Sequence, residues 1–242
     1  MSRRLAVEIA VQDRAGVRVA LEAGADRIEL CSALGVGGLT PSAGLIEAAV
    51  AEAQSAGRDG FVHVLIRPRA GGFVYDADEV ELALADIRFA RRACASGVVV
   101  GALDAVGAVD TDAVARFVAE AGDLDVTFHR AIDIAPDPLG ALDTLAALGV
   151  RRILTSGGAS RSIDGVGMLA ALAAESAGRV QVMAGGGVGV TDIAGIAATG
   201  VDAVHLSART TVTGSPSGPG GGAASYDVTD AAVVREALAA AY

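Results

Sequence analysis

The sequence predicts a single (β/α)8 TIM barrel spanning residues 1–242, and three observations predict it. Short apolar runs repeatedly end in Gly, Arg, His, Ser or Cys: LAVEIAV, DRIELCS, FVHVLIRPRAGG, GVVVGALD, DVTFHR, RRILTSGGAS, VQVMAGGG and DAVHLSAR. The segments between them are Ala/Leu/Val/Glu/Arg-rich and helical in character, so the polar chemistry collects at the downstream edges of strands, as in a parallel barrel with one functional mouth. The length of 242 residues suits a barrel of roughly 250. Finally, AGADRIELCS (23–32), LGVRRILTSG (148–157) and TGVDAVHLSA (199–208) look like copies of one unit, in which a Gly closes a helix and a short strand follows.

Each strand sorts by its period of two. Leu5, Val7, Ile9 and Val11 point outward, leaving Glu8 and Ala10 inward; Val62, Val64 and Ile66 point outward, leaving His63, Leu65 and Arg67 inward. Val126 and Phe128 point outward, leaving Thr127 and His129 inward. The repeat places Glu29, Leu154 and His205 in one inward column, with Cys31, Ser156 and Ser207 two residues on. Gln181 joins this lumen, which is far more polar than the branched aliphatic layers that only stabilise a barrel. Thr40-Pro41-Ser42 is expected to open a helix, with Thr40 as cap and Pro41 in the first turn. Asp76 opens another that runs to about Ala95. Further helices are expected at about 110–121, 136–148, 161–176, 189–198 and 228–241. The Gly/Ser/Pro-rich stretch 210–227 is expected to be a loop before the last helix, either a mobile connection or a lid over the mouth.

Composition narrows the chemistry. With 52% hydrophobic and 20% charged residues, the chain can build a large core. A net charge of −10 disfavours a nucleic-acid partner. No apolar run approaches the ~20 residues that cross a bilayer, and Glu8 and Asp13 come too early for a signal peptide, so a cytoplasmic protein is expected. All 19 basic residues are arginine, which excludes Schiff-base aldolase chemistry, a lysine-anchored pyridoxal group and a P-loop. The two cysteines, Cys31 and Cys94, form no disulfide framework.

Several inward residues are candidates for function, each with a structural alternative. Glu8 and Glu29 are expected on adjacent strands at similar depth, where mutual repulsion raises one pKa and fits it for proton transfer. Arg67 on the next strand would offset that repulsion; alternatively, the three form a buried network that fixes strand register. His129 and His205, at the ends of nearly opposite strands, are candidates for acid–base or electrophilic roles, whereas His63 lies deeper and reads as structural. The turns TSGGAS and AGGGVGVTD offer backbone amides to an anion through Ser156, Gly157, Gly186 and Gly187. Arg67, Arg69 and Arg209 would complete a pocket for a small phosphate- or carboxylate-bearing molecule, with His205 and Ser207 beside it.

The stretches VEIAVQD (7–13), GADRIELCSALGVGGLTPSAGL (24–45), IRPRAGGFVYDADE (66–79), DVTFHRAID (125–133), RRILTSGGA (151–159), VMAGGGV (182–188) and HLSAR (205–209) together resemble the CutC family, described as copper-homeostasis proteins with a TIM-barrel fold. The resemblance implies a cytosolic, often oligomeric barrel with a role in copper handling. It implies copper ligation by cysteines on the first two strands, yet the first-strand position is Ala10 here, leaving Cys31 as the metal candidate with Met183 nearby. Cu(I) favours thiolate and thioether ligands, so this lumen is a poor copper site. The residues themselves equally suggest a lyase or isomerase in which Glu8, Glu29 or His129 moves a proton next to a carbonyl. A third reading is a divalent metal held by Glu29, His129 and His205.

Overall fold

A computed structural model describes residues 4–215, 218–219 and 224–241. Eight parallel strands close in sequence order: β1 (Ala6–Val11), β2 (Arg27–Leu30), β3 (Val62–Leu65), β4 (Gly97–Val100), β5 (Asp125–Phe128), β6 (Arg152–Thr155), β7 (Gln181–Gly185) and β8 (Ala203–Leu206). β8 pairs back onto β1 and completes the (β/α)8 barrel. Around it lie α1 (Arg14–Ala23), α2 (Ala43–Ser55), α3 (Ala77–Arg92), α4 (Thr111–Ala121), α5 (Pro138–Ala147), α6 (Val166–Ser176), α7 (Ile193–Ala197) and α8 (Ala231–Ala240).

Aspartates start most of these helices. Asp13, Asp110, Asp137 and Asp230 each accept a first-turn amide, and Asp76 forms a reciprocal capping box with Glu79. The repeat glycine closes α1 in a left-handed conformation, with Gly24 at φ 88°. Asp26 and Asp202, just downstream of their repeat glycines, play matching roles: each carboxylate accepts a backbone amide of a neighbouring strand, Val7 at 2.8 Å and Val182 at 2.7 Å.

The alternation read from the sequence produces two separate apolar layers. Val7, Ile9, Val11, Ile28, Val62, Val64, Val126, Phe128, Ile153 and Val204 are buried between strands and helices in one continuous core. Inside the barrel the apolar contacts reduce to two small groups, Cys31–Leu65–Val99 and Leu154–Met183–Ala203. Polar side chains fill the rest of the lumen.

Three local expectations are corrected. Ser42, not Thr40, caps α2, its hydroxyl accepting the Leu45 amide at 3.2 Å. Thr40 Oγ1 instead accepts the Arg67 backbone N–H at 2.9 Å, an amide left without a strand partner where β3 ends. The helix expected at 189–198 is a 3-10 turn, Val190–Asp192, followed by the short α7, because the Gly-Val-Thr start has weak helix propensity. The 210–227 stretch is not all loop: β9 (Arg209–Thr213) and β10 (Ser225–Thr229) pair antiparallel. The consecutive β-branched residues Thr210, Thr211, Val212 and Thr213 in β9, with Val228 and Thr229 in β10, supply the strand propensity that flanks the glycine-rich run. Residues 216–217 and 220–223, on which a lid would depend, lie outside the described residues.

Candidate active site at the barrel mouth

A cavity of about 320 Å³ opens at the carboxyl ends of the strands. Of the residues predicted from sequence, Glu29, Arg67, His129, Gly186, Gly187, His205, Ser207 and Arg209 line it, together with Ala10, Phe73, Arg130 and Leu154. Glu8 lies beneath it. Cys31, Arg69, Ser156 and Gly157 do not line it.

The floor is a chain of ionisable groups. Register pairs Glu8 with Arg27 and with His205, and pairs Glu29 with Ala10, so the two glutamates sit one step apart rather than at equal depth. Arg27, not Arg67, neutralises Glu8: its Nε donates to Glu8 Oε2 at 2.5 Å, and its Nη2 reaches Met183 Sδ at 3.0 Å. His205 Nδ1 lies 2.8 Å from Glu8 Oε1, and His205 Nε2 lies 3.8 Å from Glu29 Oε2. Burial opposes ionisation of Glu8, but Arg27 and His205 together outweigh it and hold the carboxyl well below its usual range. Burial likewise opposes protonation of His205, yet the Glu29 and Glu8 carboxylates prevail and raise its pKa. Among the described residues no cation lies at hydrogen-bond range of Glu29; burial dominates and pushes it up to about 7. The result is an ionised Glu8–His205 pair behind a carboxyl that changes protonation near neutrality. Such a carboxyl, open to a cavity, can take up and return a proton.

One wall is built around His129, whose Nδ1 accepts the Ala131 amide at 3.2 Å. That bond assigns the ring proton to Nε2. Burial and the nearby Arg67 charge push the ring pKa down to about 3, so His129 is a neutral imidazole. Arg67 Nη1 donates to the Val36 and Gly38 carbonyls at 3.1 and 2.9 Å, and Nη2 to Gly71 at 2.8 Å. The Phe73 ring touches both groups, 4.7 Å from the His129 ring and 5.3 Å from the Arg67 guanidinium. Opposite them, Gly101 has no side chain because a Cβ there would sit 2.3 Å from His129 Cε1. Gly101→Ala is therefore expected to destabilise the fold by about 2 kcal/mol through overpacking and to displace the imidazole. Urea unfolding and the His129 ring resonances would check this; wild-type values for both would refute it.

The TSGGAS turn is filled from within, whereas Gly186 and Gly187 of the second glycine-rich turn line the cavity. Asp133 occupies the TSGGAS turn: its carboxylate accepts the Ser156 amide at 2.9 Å, the Ser156 hydroxyl at 3.0 Å, the Gly158 amide at 3.2 Å and the Thr155 hydroxyl at 2.5 Å. The Gly157 amide turns to Thr155 Oγ1 at 2.9 Å. Ser156 and Gly157 are thus spent on a side chain rather than a ligand. The Gly189 amide is likewise taken by Asp192 at 2.9 Å. Arg69 faces away from the cavity, paired with Glu79 and bonded to the Gly72 and Val74 carbonyls. Arg209 reaches the rim but is paired with Asp227 at 2.7 Å. Cys31 is buried, its Sγ 3.4 Å from the Val11 carbonyl, and burial pushes its thiol strongly up. Among the described residues, no three His, Cys, Asp or Glu side chains gather as a metal site, so Glu29, His129 and His205 do not form the divalent site considered above.

Sequence reading missed Arg27, Phe73, Arg130 and Asp133. Arg27 has the same parity as Glu29 and could have been found by extending the alternation one step. Arg130 and Asp133 stand in DVTFHRAID, and Arg130 bonds Asp133 at 2.8 Å while it borders the cavity. Phe73 had no periodic signal, because it lies in the loop after β3.

The fold and this mouth define a (β/α)8 barrel with an acid–imidazole floor over a buried arginine. The chain belongs to the CutC family, whose model matches residues 5–210. A family protein CutC from Xylella fastidiosa (strain 9a5c) is 43% identical over 244 residues, covering 98% of this chain and 88% of that one. One from Photobacterium profundum is 42% identical over 206 residues, covering 85% and 82%. The crystal structure of a candidate copper homeostasis protein CutC from Streptococcus agalactiae superposes with a TM-score of 0.80 at 32% identity, covering 84% of this chain and 98% of that one. A thiamine phosphate pyrophosphorylase from Pyrococcus furiosus, at 16% identity and a TM-score of 0.60, shares the fold alone. No helix among the described residues is long and apolar enough to cross a membrane.

Proposed function

We propose that the barrel mouth is the active site of a lyase or isomerase that moves a proton on a small carboxylate- or phosphate-bearing metabolite. The observation that carries this reading is Glu29, a carboxyl with pKa near 7 at the edge of the cavity, backed by the Glu8–His205 pair. Arg67 supports an anionic ligand, since among the described residues its guanidinium meets three carbonyl oxygens and the Tyr75 hydroxyl but no carboxylate. The test is hydrogen–deuterium exchange at carbon in D2O, followed by proton NMR on pooled small acids and their phosphate esters. Wild-type protein is expected to exchange one class of C–H above the buffer rate, and Glu29→Gln to slow that exchange by about 10²–10⁴-fold. No exchange by the wild type, or equal exchange by Glu29→Gln, would overturn the reading.

The name of the Streptococcus agalactiae protein attaches copper homeostasis to that relative, and on this reading any link to copper here is indirect. Cu(I) selects thiolates and thioethers. Cys31 is a buried thiol bonded to a carbonyl, Cys94 is exposed after α3, and Met183 Sδ already receives an Arg27 N–H. This donor set does not fit a copper site, and no step here passes through the metal. Native mass spectrometry after anaerobic Cu(I) loading is expected to return the apo mass; stoichiometric copper that Cys31→Ser abolishes would establish direct binding instead.

A further inference from the structure

We infer that the chain ends after β7 and β8, with Arg130 laid against them, form a subsite for a phosphate monoester dianion. The inference rests on the proton-transfer reading above and narrows its substrate to a short phosphorylated compound.

Arg130, Gly186, Gly187, Val188 and Ser207 line the cavity, and none of them is buried. The direction of two amides follows from the carbonyls in the same peptide planes. The Gly186 carbonyl accepts the Ser162 amide at 2.8 Å and the Ser162 hydroxyl at 3.2 Å, and the Gly187 carbonyl accepts Arg161 Nε at 3.4 Å. A trans peptide points its N–H opposite its C=O, and among the described residues no peptide is cis. The Gly187 and Val188 N–H groups therefore point away from Arg161 and Ser162, which do not line the cavity, and toward the side that does. Among the described residues neither amide has an acceptor, and the Ser207 hydroxyl has no partner.

Other observations bring the remaining donors to the same place. Register pairs Gly185 with His205, so Gly187 and Ser207 each stand two residues beyond that pair at adjacent strand ends. A Cβ on Gly186 would sit 2.8 Å from Arg130 Cζ and 2.9 Å from Nη1, so the guanidinium lies directly against this turn. Arg130 Nε donates to Asp133 at 2.8 Å and Nη2 to the Ser156 hydroxyl at 3.1 Å, which fixes the guanidinium plane and leaves Nη1 for a ligand. Two amides, a hydroxyl and a guanidinium thus approach from three chain segments. The three terminal oxygens of a tetrahedral phosphate can accept from such a set, whereas a carboxylate offers two oxygens in one plane. The loops after the seventh and eighth strands of parallel barrels recurrently hold phosphate in this way. Along β8 the subsite stands two residues beyond His205, roughly 7 Å at the usual strand rise. A phosphate with two or three carbons covers that span and brings the far carbon of the ester to Glu29 and His205.

Glycerol 3-phosphate is the probe, and succinate, a dianion of similar size without phosphorus, is the control. Backbone amide NMR of the wild type is expected to show the Gly187 and Val188 signals shifting with glycerol 3-phosphate at millimolar concentration and not with succinate. By calorimetry, Arg130→Gln is expected to bind glycerol 3-phosphate about tenfold or more weakly, and Ser207→Ala a few-fold more weakly. Amides unmoved by glycerol 3-phosphate, succinate bound as tightly as the ester, or unchanged affinity in both variants would overturn the subsite. The wild-type spectra decide the matter even if Arg130→Gln fails to fold. Glycerol 3-phosphate has no C–H next to a carbonyl, so its binding reports the subsite alone. Binding without any carbon exchange would defeat only the Glu29 reading, whereas exchange confined to unphosphorylated acids would defeat only the subsite.

Discussion

Arg27→Ala is expected to cost about 3–5 kcal/mol of folding stability, because it leaves the Glu8 carboxylate buried without its main counter-charge. Glu8 is 1% exposed, and Arg27 is its guanidinium partner at 2.5 Å. Burial alone would drive Glu8 to the neutral form, and Arg27 is the first of the groups that reverse this. For a chain of this size the loss corresponds to a fall in Tm on the order of 10 °C, measurable by calorimetry or urea unfolding. The pH dependence has a definite sign. A carboxyl whose folded pKa is depressed contributes stability above its unfolded pKa and loses it as the pH falls toward the folded value. The wild type should therefore lose this increment on acidification below the ordinary carboxylate range, and the Arg27→Ala penalty should shrink there. Pairing Arg27→Met with Glu8→Gln should recover much of the loss, since a buried ion pair replaced on both sides leaves no stranded charge. A single Arg27→Ala variant as stable as wild type would show that Glu8 is not held by this contact.

Glu29→Gln is expected to have the opposite sign. The folded pKa of Glu29 is raised from 4.5 to about 7, so the folded protein must give up a proton that burial favours keeping. A raised folded pKa means that stability is complete below the unfolded pKa, declines as pH rises between the two values, and stays reduced above about 7. A shift of that size corresponds to about 3 kcal/mol, so Glu29→Gln should be more stable than wild type by up to about that amount at alkaline pH and nearly equal near the unfolded pKa. The gain is partly offset because His205 loses one of the two carboxylates that raise its own pKa. Unfolding curves for both proteins across the pH range would check this; a constant difference, or a destabilised variant at alkaline pH, would refute it. Together with the expected loss of carbon exchange, a more stable and less active variant is what a site that sacrifices stability for chemistry should give.

The structure also explains why an anion cradle read from glycine spacing is not one. The Ser156 and Gly158 amides do converge, as the TSGGAS turn suggested, but Asp133 from the loop after β5 reaches them first. Glycine spacing reports that backbone amides are free of side-chain obstruction; it carries no information about which acceptor arrives. The same holds at Gly189, where Asp192 three residues away satisfies the amide. The anionic ligand proposed for this mouth would therefore meet Arg67 and the Gly186–Gly187 turn rather than the Ser156–Gly158 amides.

The barrel and its inside–outside partition were legible in the residues alone. Alternation on β1, β3 and β5 placed Val7, Val64 and Phe128 against the helices and Glu8, His63 and His129 within, because a strand exposes its two faces with a fixed period that no tertiary contact alters. The repeat likewise brought Glu29, Leu154 and His205 to the cavity. What tertiary structure decided was pairing. Whether Glu8 met Arg67 or Arg27 depended on the stagger between β1 and β2, whether Ser156 faced a ligand or Asp133 depended on a loop two elements away, and the hairpin at 209–229 formed only when its flanks found each other across a glycine-rich run. Direction along a strand is a local property of the chain, whereas the partner of a buried charge is chosen by closure of the whole barrel.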